Sequence, residues 1–548
     1  MLAPDLDEAT TMTAPHERPS TGLRWLAAAR VVGVIALIAC VGMPFLVCRF
    51  PPLTDFPFHA VGSSIVRHHG DPAFGFERQF DLTPLSVPYC SLYVLGAFFM
   101  LFFDAVVATK LAATVLLSAV PIGLGTLAWG LRKSPWLGLT AAPLVWGHLT
   151  HWGFINFVSA IGIYMAVVGL SLRALTEPKR RTTGLLVLSV VLLHFTHVFR
   201  VPFALLSMGL VLVCLYPVTR RVFPVVLAIG VSGALFTSFW LLKPATLYAA
   251  PSFDPAVGRL LDIPRYVFDS FNDPWERQTF YLHFGVVFAV SIGSVVAARW
   301  APHADAQDRS RREARATHLA VAGCVVGVLI SYLVLPMEAG LVWYIFPREA
   351  TLVVVVALAL LPDLPRQPTA RAGALFALSL SVWITTARVT QAWNTFDAQT
   401  ADFSEISKRI PKAPRLSYLV FDHRGSNRTV TPFVHLPAYV QAEKGGHLSF
   451  HFAAFNASPF RYSKGADALV PPPFPHRWEF RPNLFEVREH GAFFDWFLVR
   501  SERDPRDWFA ADRTIEFVER RGTWWLYERR RSGPGGLRER RLPGANTP

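Results

Sequence analysis

Long uncharged stretches separated by short polar links dominate the sequence up to residue 388. A helix needs about 20 mostly apolar residues to cross the hydrocarbon core of a bilayer, and Arg, Lys and Trp commonly mark its ends. Because hydrocarbon offers the backbone no hydrogen-bond partners, such stretches must form helices. Eleven stretches that approach this length are predicted to span the membrane: residues 26–47, 106–130, 135–150, 155–172, 183–199, 201–216, 222–242, 281–298, 318–335, 350–362 and 372–388.

Residues 88–103 are also apolar and aromatic, but a helix of this length reaches only about 24 Å. If this stretch crossed the membrane, Arg132 and Lys133 would fall outside the cell and every later basic cluster would change sides. We therefore predict a helix that lies at the outer interface or dips into it.

Basic residues gather in the links between the predicted spans. The clusters comprise Arg18, Arg24 and Arg30; Arg132 and Lys133; Lys179 to Arg181; Arg220 and Arg221; Arg309 to Arg315; and Arg366 and Arg371. All of them lie on one side if each of the eleven stretches crosses once, which satisfies the positive-inside rule. The pattern predicts a multi-pass protein of the inner (plasma) membrane with a cytoplasmic N-terminus and an extracytoplasmic C-terminal region.

The last 160 or so residues change character, because apolar and polar positions begin to alternate over short runs, as strands require. Residues 397–410 instead favour a helix, so a small α/β domain is predicted after an all-α membrane domain. The predicted organisation is a polar cytoplasmic N-terminus (1–24), a transmembrane domain (25–388) with an outer loop (48–105), an extracytoplasmic α/β domain (389–528) and a disordered basic tail (529–548).

Composition supports membrane insertion: 52% of residues are hydrophobic, 17% are charged and the mean hydropathy is +0.34. The formal charge of +14 fits anionic partners such as lipid head groups or phosphates. Nucleic acid is not indicated, because the basic residues are scattered over loops. Of the five cysteines, Cys48 and Cys90 could meet outside the membrane as a disulfide, and buried inert thiols are the alternative.

Asp55 stands just beyond the first predicted span, in the segment PPLTDFPFHA. A carboxyl group fixed by prolines against aromatic residues is partly desolvated, which raises its pKa and makes it a better proton acceptor near neutral pH. The alternative is an ordinary loop cap, in which the carboxylate accepts backbone hydrogen bonds and His59 merely lies one helical turn away.

Two motifs resemble the GT-C class of membrane glycosyltransferases, in particular a bacterial branch. TDFPFH, with Asp55 and His59, is similar to the Asp-x-Pro-x-His form of the first outer loop, and HWGFINFVSA (151–160) resembles its Gly-Phe-x-Asn stretch. The resemblance implies a GT-C-like fold of about 11 transmembrane helices, interfacial helices after the first span, and an outer C-terminal domain. It also implies a polyprenyl-phosphate-linked sugar donor and a glycan, lipid or protein acceptor, with Asp55 as the catalytic base and His59 as a second catalytic residue.

One departure concerns metal. Oligosaccharyltransferase members of the class carry an acidic pair in the second outer loop, whereas HLTHWGFIN has no acidic residue. A metal-independent subclass and loss of activity are both open, and no cofactor is firmly implied, although a divalent metal is an option.

Cations near the outer face are candidates for binding the donor phosphate, because guanidinium groups match phosphate oxygens bidentately. Arg348 in YIFPREAT and Arg200 in HVFRVP are predicted at outer ends of spans, and Glu349 is either a substrate ligand or the partner of Arg348. Snorkelling at the membrane edge is the alternative for both arginines. Asn156, in the second motif, completes the predicted substrate-binding set together with His151 and His197.

Histidines occur as two pairs spaced three apart, His148 with His151 and His194 with His197. Residues at i and i+3 share a helix face, so the pairs could converge on zinc or iron. Alternatively they bond to neighbouring helices, or one of them polarises substrate phosphate or orients Asp55.

Two other functions compete with a glycosyltransferase. A membrane transporter usually shows internal repeats and ionisable residues at mid-membrane, whereas most ionisable residues here lie at the ends of the predicted spans. A non-catalytic scaffold would use the outer domain to bind a partner, and it should tolerate Asp55→Asn.

Overall fold

The structure is a computed structural model that describes residues 21–243, 251–254, 256, 258–299, 308–340, 342–427, 429–455, 458–475 and 477–530. Most of the predicted cytoplasmic N-terminus and nearly all of the predicted basic tail therefore lie outside the described residues.

Helices account for most of the chain. The α-helices are α1 (Thr21–Val47), α2 (Phe56–His68), α3 (Ser91–Phe99), α4 (Ala105–Leu117), α5 (Ala119–Gly130), α6 (His148–Trp152), α7 (Ile155–Thr176), α8 (Arg180–Thr196), α9 (Val201–Thr219), α10 (Phe223–Leu242), α11 (Arg259–Phe268), α12 (Pro274–Arg299), α13 (Asp308–Val334), α14 (Ile345–Ala357), α15 (Pro368–Gln399), α16 (Ala401–Ser407), α17 (Ala438–Lys444), α18 (Val487–His490) and α19 (Arg506–Phe509). The 3-10 helices are Pro135–Trp146, Val198–Arg200, Leu358–Leu360, Phe452–Phe455, Trp478–Phe480 and Pro482–Leu484.

Strands are short before the C-terminal domain and longer within it. They are β1 (Phe80–Leu82), β2 (Glu338–Ala339), β3 (Val342–Trp343), β4 (Arg415–Val420), β5 (His447–Leu448), β6 (Phe460–Tyr462), β7 (Trp496–Arg500), β8 (Ile515–Arg521) and β9 (Trp524–Arg529).

Within the described residues, eight helical stretches are long and apolar enough to cross a membrane. They are Ala28–Val47, Ala105–Gly130, Ile155–Thr176, Val198–Thr219, Phe223–Leu242, Pro274–Ala298, Ser310–Val334 and Pro368–Gln399. Each matches one of the predicted spans. The other three predicted spans correspond to shorter helices: α8 with 17 residues, the 3-10 helix Pro135–Trp146 with 12, and α14 with 13. The prediction of a polytopic helical fold is confirmed.

The shorter segments connect the same two ends of the bundle as the long helices. At one end Arg132 pairs with Glu313 at 2.7 Å, and Lys133 donates to the carbonyl of Leu361 at 2.7 Å. At the other end of α13, Arg259 donates to the carbonyl of Leu333 at 2.9 Å. The basic links predicted to face the cytoplasm therefore gather at one end, and the Asp55 loop lies at the other.

Helix α7 forms the centre of the bundle, because small residues let α5 approach it closely. A Cβ at Gly123 would overlap the carbonyl of Gly162, and one at Gly130 would overlap the backbone of Gly169. Without a hydrophobic force between helices in lipid, such close packing supplies the attraction. This packing fixes α7, and its first turn carries the second motif to the functional end.

The stretch predicted as an interfacial helix folds as α3, which has only nine residues and is thus about 14 Å long. Val94, Phe98 and Phe102 are more than half exposed, so an apolar face is available to lipid. The chain then turns at Asp104, whose carboxylate caps α4 through the Val107 amide at 2.9 Å. A short helix followed by a turn agrees with an interfacial position rather than a crossing.

The C-terminal domain contains a five-stranded sheet in the order β5-β4-β7-β9-β8. Strand β4 runs parallel to β5 and β7, whereas β9 is antiparallel to β7 and β8, which confirms the predicted α/β character. Helix α15 continues past residue 388, where we placed the domain boundary, to Gln399. Strand β1 of the outer loop pairs with β6 of the domain, so the two parts share one surface.

All five cysteines are free thiols. Cys48 is buried, and burial raises its pKa to about 12. The structure therefore favours inert thiols over the disulfide between Cys48 and Cys90.

Candidate active site

The two sequence motifs form one structural unit. The amide of Thr54 donates to the carbonyl of His151 at 2.9 Å, and the amide of Asp55 donates to that of Trp152 at 3.2 Å. Gly153 follows with a φ of +96°, and a Cβ there would lie 2.8 Å from the Cβ of Asp55. Only glycine combines this left-handed conformation with so close an approach. The Gly-Phe-x-Asn segment thus packs against the Asp55 loop and supports it.

Asp55 precedes α2 but its side chain makes no capping hydrogen bond with that helix. The loop-cap interpretation is therefore not supported, and the carboxyl group, with 20% of the side chain exposed, is available for other partners. Burial raises the pKa of Asp55 to about 7, while Arg348 opposes this shift and Glu479 adds to it. A carboxyl group with this pKa can accept a proton near neutral pH.

His59 lies one turn into α2 and connects this helix to Gly153 and Tyr93. Its Nε2 is 2.7 Å from the carbonyl oxygen of Gly153, and its Nδ1 is 3.3 Å from the hydroxyl of Tyr93. Burial lowers the pKa of His59 to about 4, so the imidazole is neutral. These contacts support a positioning role more directly than a proton-transfer role.

Arg200 and Glu349 form a bidentate ion pair, in which Nη1 of Arg200 is 2.7 Å from Oε2 of Glu349 and Nη2 contacts Oε1. Each side chain is 3% exposed. Glu349 is therefore the partner of Arg200, not of its sequence neighbour Arg348 as one of our interpretations held. Breaking a buried pair leaves an uncompensated charge, so this pair fixes the loop before α9 against α14.

Arg348 lies in the first turn of α14 and faces Asp55. Its Nη2 donates to the carbonyl of Trp343 at 2.7 Å, and its guanidinium lies 4.2 Å from the ring centroid of Phe154. Its Nε is buried and, in the part of the chain that the structure describes, has no hydrogen-bond partner. The guanidinium thus retains unused donor capacity beside the carboxyl group of Asp55.

Two further predicted residues, Asn156 and His197, contact Tyr89 and carry unused polar atoms. The amide nitrogen of Asn156 donates to the carbonyl of Tyr89 at 3.4 Å, and the ring of His197 packs against that of Tyr89 at 5.0 Å. Asn156 Oδ1 and His197 Nδ1 are buried and find no partner among the described residues. Because buried polar groups are nearly always paired, these atoms indicate space for a polar ligand.

His151 is fully buried and both its ring nitrogens face protein groups. Nδ1 is 3.1 Å from the carbonyl of Gly147, and Nε2 accepts from the indole of Trp393 at 3.1 Å. His148 is bound similarly, because Trp152 donates to its Nε2 at 2.8 Å. Among the described residues, which include His194 and His197, no group of three or more His, Cys, Asp or Glu side chains is arranged to hold a metal ion.

Three further residues of the site are marked by no sequence motif: Tyr89, near Arg348, and His435 and Glu479, near Asp55. His435 and Glu479 belong to the C-terminal domain, and Oδ1 of Asp55 lies 3.8 Å from Nε2 of His435. No local sequence signal could have found them, because the contact joins regions separated by most of the chain.

Comparison with solved structures identifies the architecture. ArnT from Cupriavidus metallidurans in the apo state superposes with a TM-score of 0.51 and 13% identity, covering 92% of this chain and 98% of ArnT. ArnT bound to undecaprenyl phosphate superposes with a TM-score of 0.54 and 12% identity, covering 93% and 100%. The chain has a GT-C fold.

The GT-C resemblance stated from two short motifs is thus confirmed at the level of the fold. No family model matches the chain, and no curated protein sequence matches it. Since the GT-C fold was recognised at 12–13% identity, the chemistry must be argued from the residues of the site itself.

Proposed function

We propose that the protein is a membrane glycosyltransferase that moves a sugar from a polyprenyl-phosphate donor to an acceptor hydroxyl on the outer face of the membrane, with Asp55 as the general base. The observation that carries the proposal is that a desolvated carboxyl group, Asp55, lies within electrostatic range of Arg348, a guanidinium with a buried and unpaired donor. A proton acceptor and a phosphate ligand are the two groups that such a transfer needs side by side.

The donor phosphate is assigned to the space around Arg348. Charge-assisted hydrogen bonds from a guanidinium to phosphate are strong and directional. Asn156 and His197, which both contact Tyr89, add unpaired polar atoms, whereas Arg200 acts through its pair with Glu349. ArnT has been captured with undecaprenyl phosphate, which supports a lipid phosphate as the ligand class.

The proposed reaction is a single displacement. Asp55 accepts the proton of the acceptor hydroxyl as its oxygen bonds to the anomeric carbon, and the bond from that carbon to the phosphate oxygen breaks. The electron pair leaves with polyprenyl phosphate, and Arg348 stabilises the added negative charge. Attack opposite the leaving group inverts the anomeric centre.

The proposal includes a topology. The N-terminus is cytoplasmic, the site and the C-terminal domain are extracytoplasmic, and the spans sit in the inner membrane. The acceptor is a glycan, lipid or protein hydroxyl. Aromatic and apolar side chains exposed on α3 support access from the lipid interface.

Asp55→Asn tests this function in purified protein given a lipid extract whose lipid-linked sugars are radiolabelled. We expect sugar transfer to fall by at least about 100-fold, while binding of added undecaprenyl phosphate persists. Arg348→Gln should weaken that binding. Asp71→Asn, at an exposed carboxyl beyond α2, is the matched control and should keep both properties. Wild-type transfer by Asp55→Asn would contradict the proposal and favour a transporter or a scaffold.

A further inference from the structure

The C-terminal domain reaches into the site through a buried chain of three side chains. Oδ1 of Asp55 lies 3.8 Å from Nε2 of His435, and Nδ1 of His435 lies 3.4 Å from the hydroxyl of Tyr418. Tyr418 belongs to β4, which lies between β5 and β7 in the domain sheet. The chain thus joins the end of the first span to the core of the C-terminal domain.

We propose that His435 is a positioning residue of the catalytic base: its Nε2–H donates to the ionised carboxylate of Asp55, and Tyr418 holds the imidazole in that tautomer. This inference rests on the proposed function for its catalytic meaning. The structural part of the inference is that a side chain of the C-terminal domain orients Asp55 and lowers its pKa. This part does not depend on which sugar or acceptor is used.

The tautomer follows from hydrogen-bond chemistry. A neutral imidazole has one donor and one acceptor nitrogen, and an ionised carboxylate only accepts. Nε2 must therefore carry the proton when it faces ionised Asp55, which leaves Nδ1 to accept from the hydroxyl of Tyr418. Catalytic hydrogen bonds are often long before substrate binds, so a separation of 3.8 Å fits a contact that shortens once the acceptor is in place.

The surroundings keep His435 neutral. The ring stacks on Phe450 at 5.0 Å and meets the edge of Phe58 at 4.9 Å, and the residue is 2% exposed. Burial lowers the pKa of His435 to about 3, with a smaller contribution from His423. A neutral ring does not compete with Asp55 for the proton, so it orients the base without becoming one.

A second contact fixes the domain at the same place. The amide of Thr431 donates to the hydroxyl of Thr54 at 3.1 Å, although the two residues are 377 positions apart. Thr54 immediately precedes Asp55, so two successive side chains of this loop contact the C-terminal domain. Helix α17, which follows His435 closely, packs on α2, which follows Asp55.

Several other groups face Asp55 and must stay constant in any test. The charged or titratable ones are Arg348 on α14, Glu479 on the 3-10 helix Trp478–Phe480, and Tyr93 on α3. His59, on its own helix, is directed to Gly153 and Tyr93. A change at His435 leaves all of these in place.

The decisive variants separate the hydrogen bond from the packing. His435→Phe keeps a buried ring but removes the donor, whereas His435→Gln keeps an N–H donor.

Losing a hydrogen bond to the ionised form raises the pKa of an acid, here by about one unit. We expect His435→Phe to move the pH at which kcat rises by about one unit upward. It should lower kcat about fivefold at pH 7 and about tenfold at lower pH, with little change in KM for the donor. His435→Gln should restore most of both, and Tyr418→Phe should shift this pH less.

His451→Phe is the matched control, because His451 is also 2% exposed and also packs on Phe58, at 5.3 Å. Its pH profile should be that of the wild type. Equal profiles for His435→Phe and His451→Phe would overturn the inference and reduce His435 to packing.

A measurement without turnover distinguishes this inference from the proposed function. The infrared carboxyl band that Asp55→Asn abolishes can be titrated in the unliganded protein. A higher midpoint in His435→Phe than in His451→Phe would support the inference even if no sugar transfer is found in the wild type. Identical midpoints would overturn it even in an active transferase.

Discussion

At the scale of the residue, Asp55 shows why a carboxyl group suited to act as a base is costly to keep buried. Burial raises its pKa to about 7 although Arg348 stands nearby, because the low-dielectric surroundings disfavour the charged form more than one cation favours it. The same desolvation that makes Asp55 a useful base near neutral pH therefore destabilises the folded state whenever the group is ionised.

This cost predicts that Asp55→Asn stabilises the protein in a pH-dependent way. An acid with a raised pKa binds its proton more tightly in the folded than in the unfolded chain, so stability falls as pH rises from about 4 to about 7 and is constant above that. We expect the free energy of unfolding of Asp55→Asn to exceed that of the wild type by up to about 4 kcal/mol near pH 8, and to match it near pH 4.

Thermal unfolding in detergent at several pH values measures this difference. Asp467→Asn, in an exposed part of the C-terminal domain, should show no comparable gain. A destabilised Asp55→Asn protein at alkaline pH would mean that the ionised carboxylate makes favourable contacts that outweigh its desolvation.

At the scale of the element, the second motif works through backbone shape. Gly153 ends α6 in a left-handed conformation and lets the Asp55 loop lie against it. Gly153→Ala should therefore cost about 1–3 kcal/mol of stability, and it should lower sugar transfer more than binding of undecaprenyl phosphate, because the base moves while Arg348 stays.

Gly184→Ala supplies the control for that change. Gly184 lies in α8 with nothing within 4 Å of an added Cβ, so alanine there should be neutral or stabilising by about 0.5–1 kcal/mol. Unfolding midpoints and transfer rates of the two variants, measured side by side, would show whether the loss at Gly153 is specific. If Gly153→Ala and Gly184→Ala had the same unfolding midpoint and the same transfer rate, Gly153 would have no special structural role.

Elements also mark the limit of what sequence patterns predict. The spans were predictable because lipid imposes a long apolar run on every crossing helix, and Asp55 with Gly153 carried recognisable local motifs. The partner of Glu349 was not predictable, since adjacency in sequence favoured Arg348, whereas the folded chain places Arg200, in the turn before α9, against Glu349. His435 was equally hidden, because a contact made by tertiary docking leaves no periodicity behind.

At the scale of the whole molecule, the pairing of β1 with β6 constrains topology. The outer loop and the C-terminal domain must lie on the same side of the membrane, so the chain between them crosses an even number of times. Of the eight long candidate membrane helices, seven lie between β1 and β6. Seven is an odd number of crossings. If all seven cross, at least one of α8, α14 and the 3-10 helix Pro135–Trp146 also crosses, and crossing by all three gives the eleven predicted spans.

Site-directed labelling tests this topology in cells. Cys40, Cys90 and Cys214 are partly exposed and would be replaced by serine, after which single cysteines are introduced at Gly70, Lys464 and Gln367. Gly70 and Lys464 are exposed in the outer loop and in the C-terminal domain, and Gln367 is exposed just before α15.

A membrane-impermeant maleimide should label the cysteines at positions 70 and 464 in intact spheroplasts, and the cysteine at position 367 only after permeabilisation. Because β1 and β6 tie the first two positions together, labelling of Gly70→Cys and Lys464→Cys from opposite sides would contradict the fold, whereas labelling of both from the cytoplasm alone would invert the membrane orientation and remove Asp55 from the outer face.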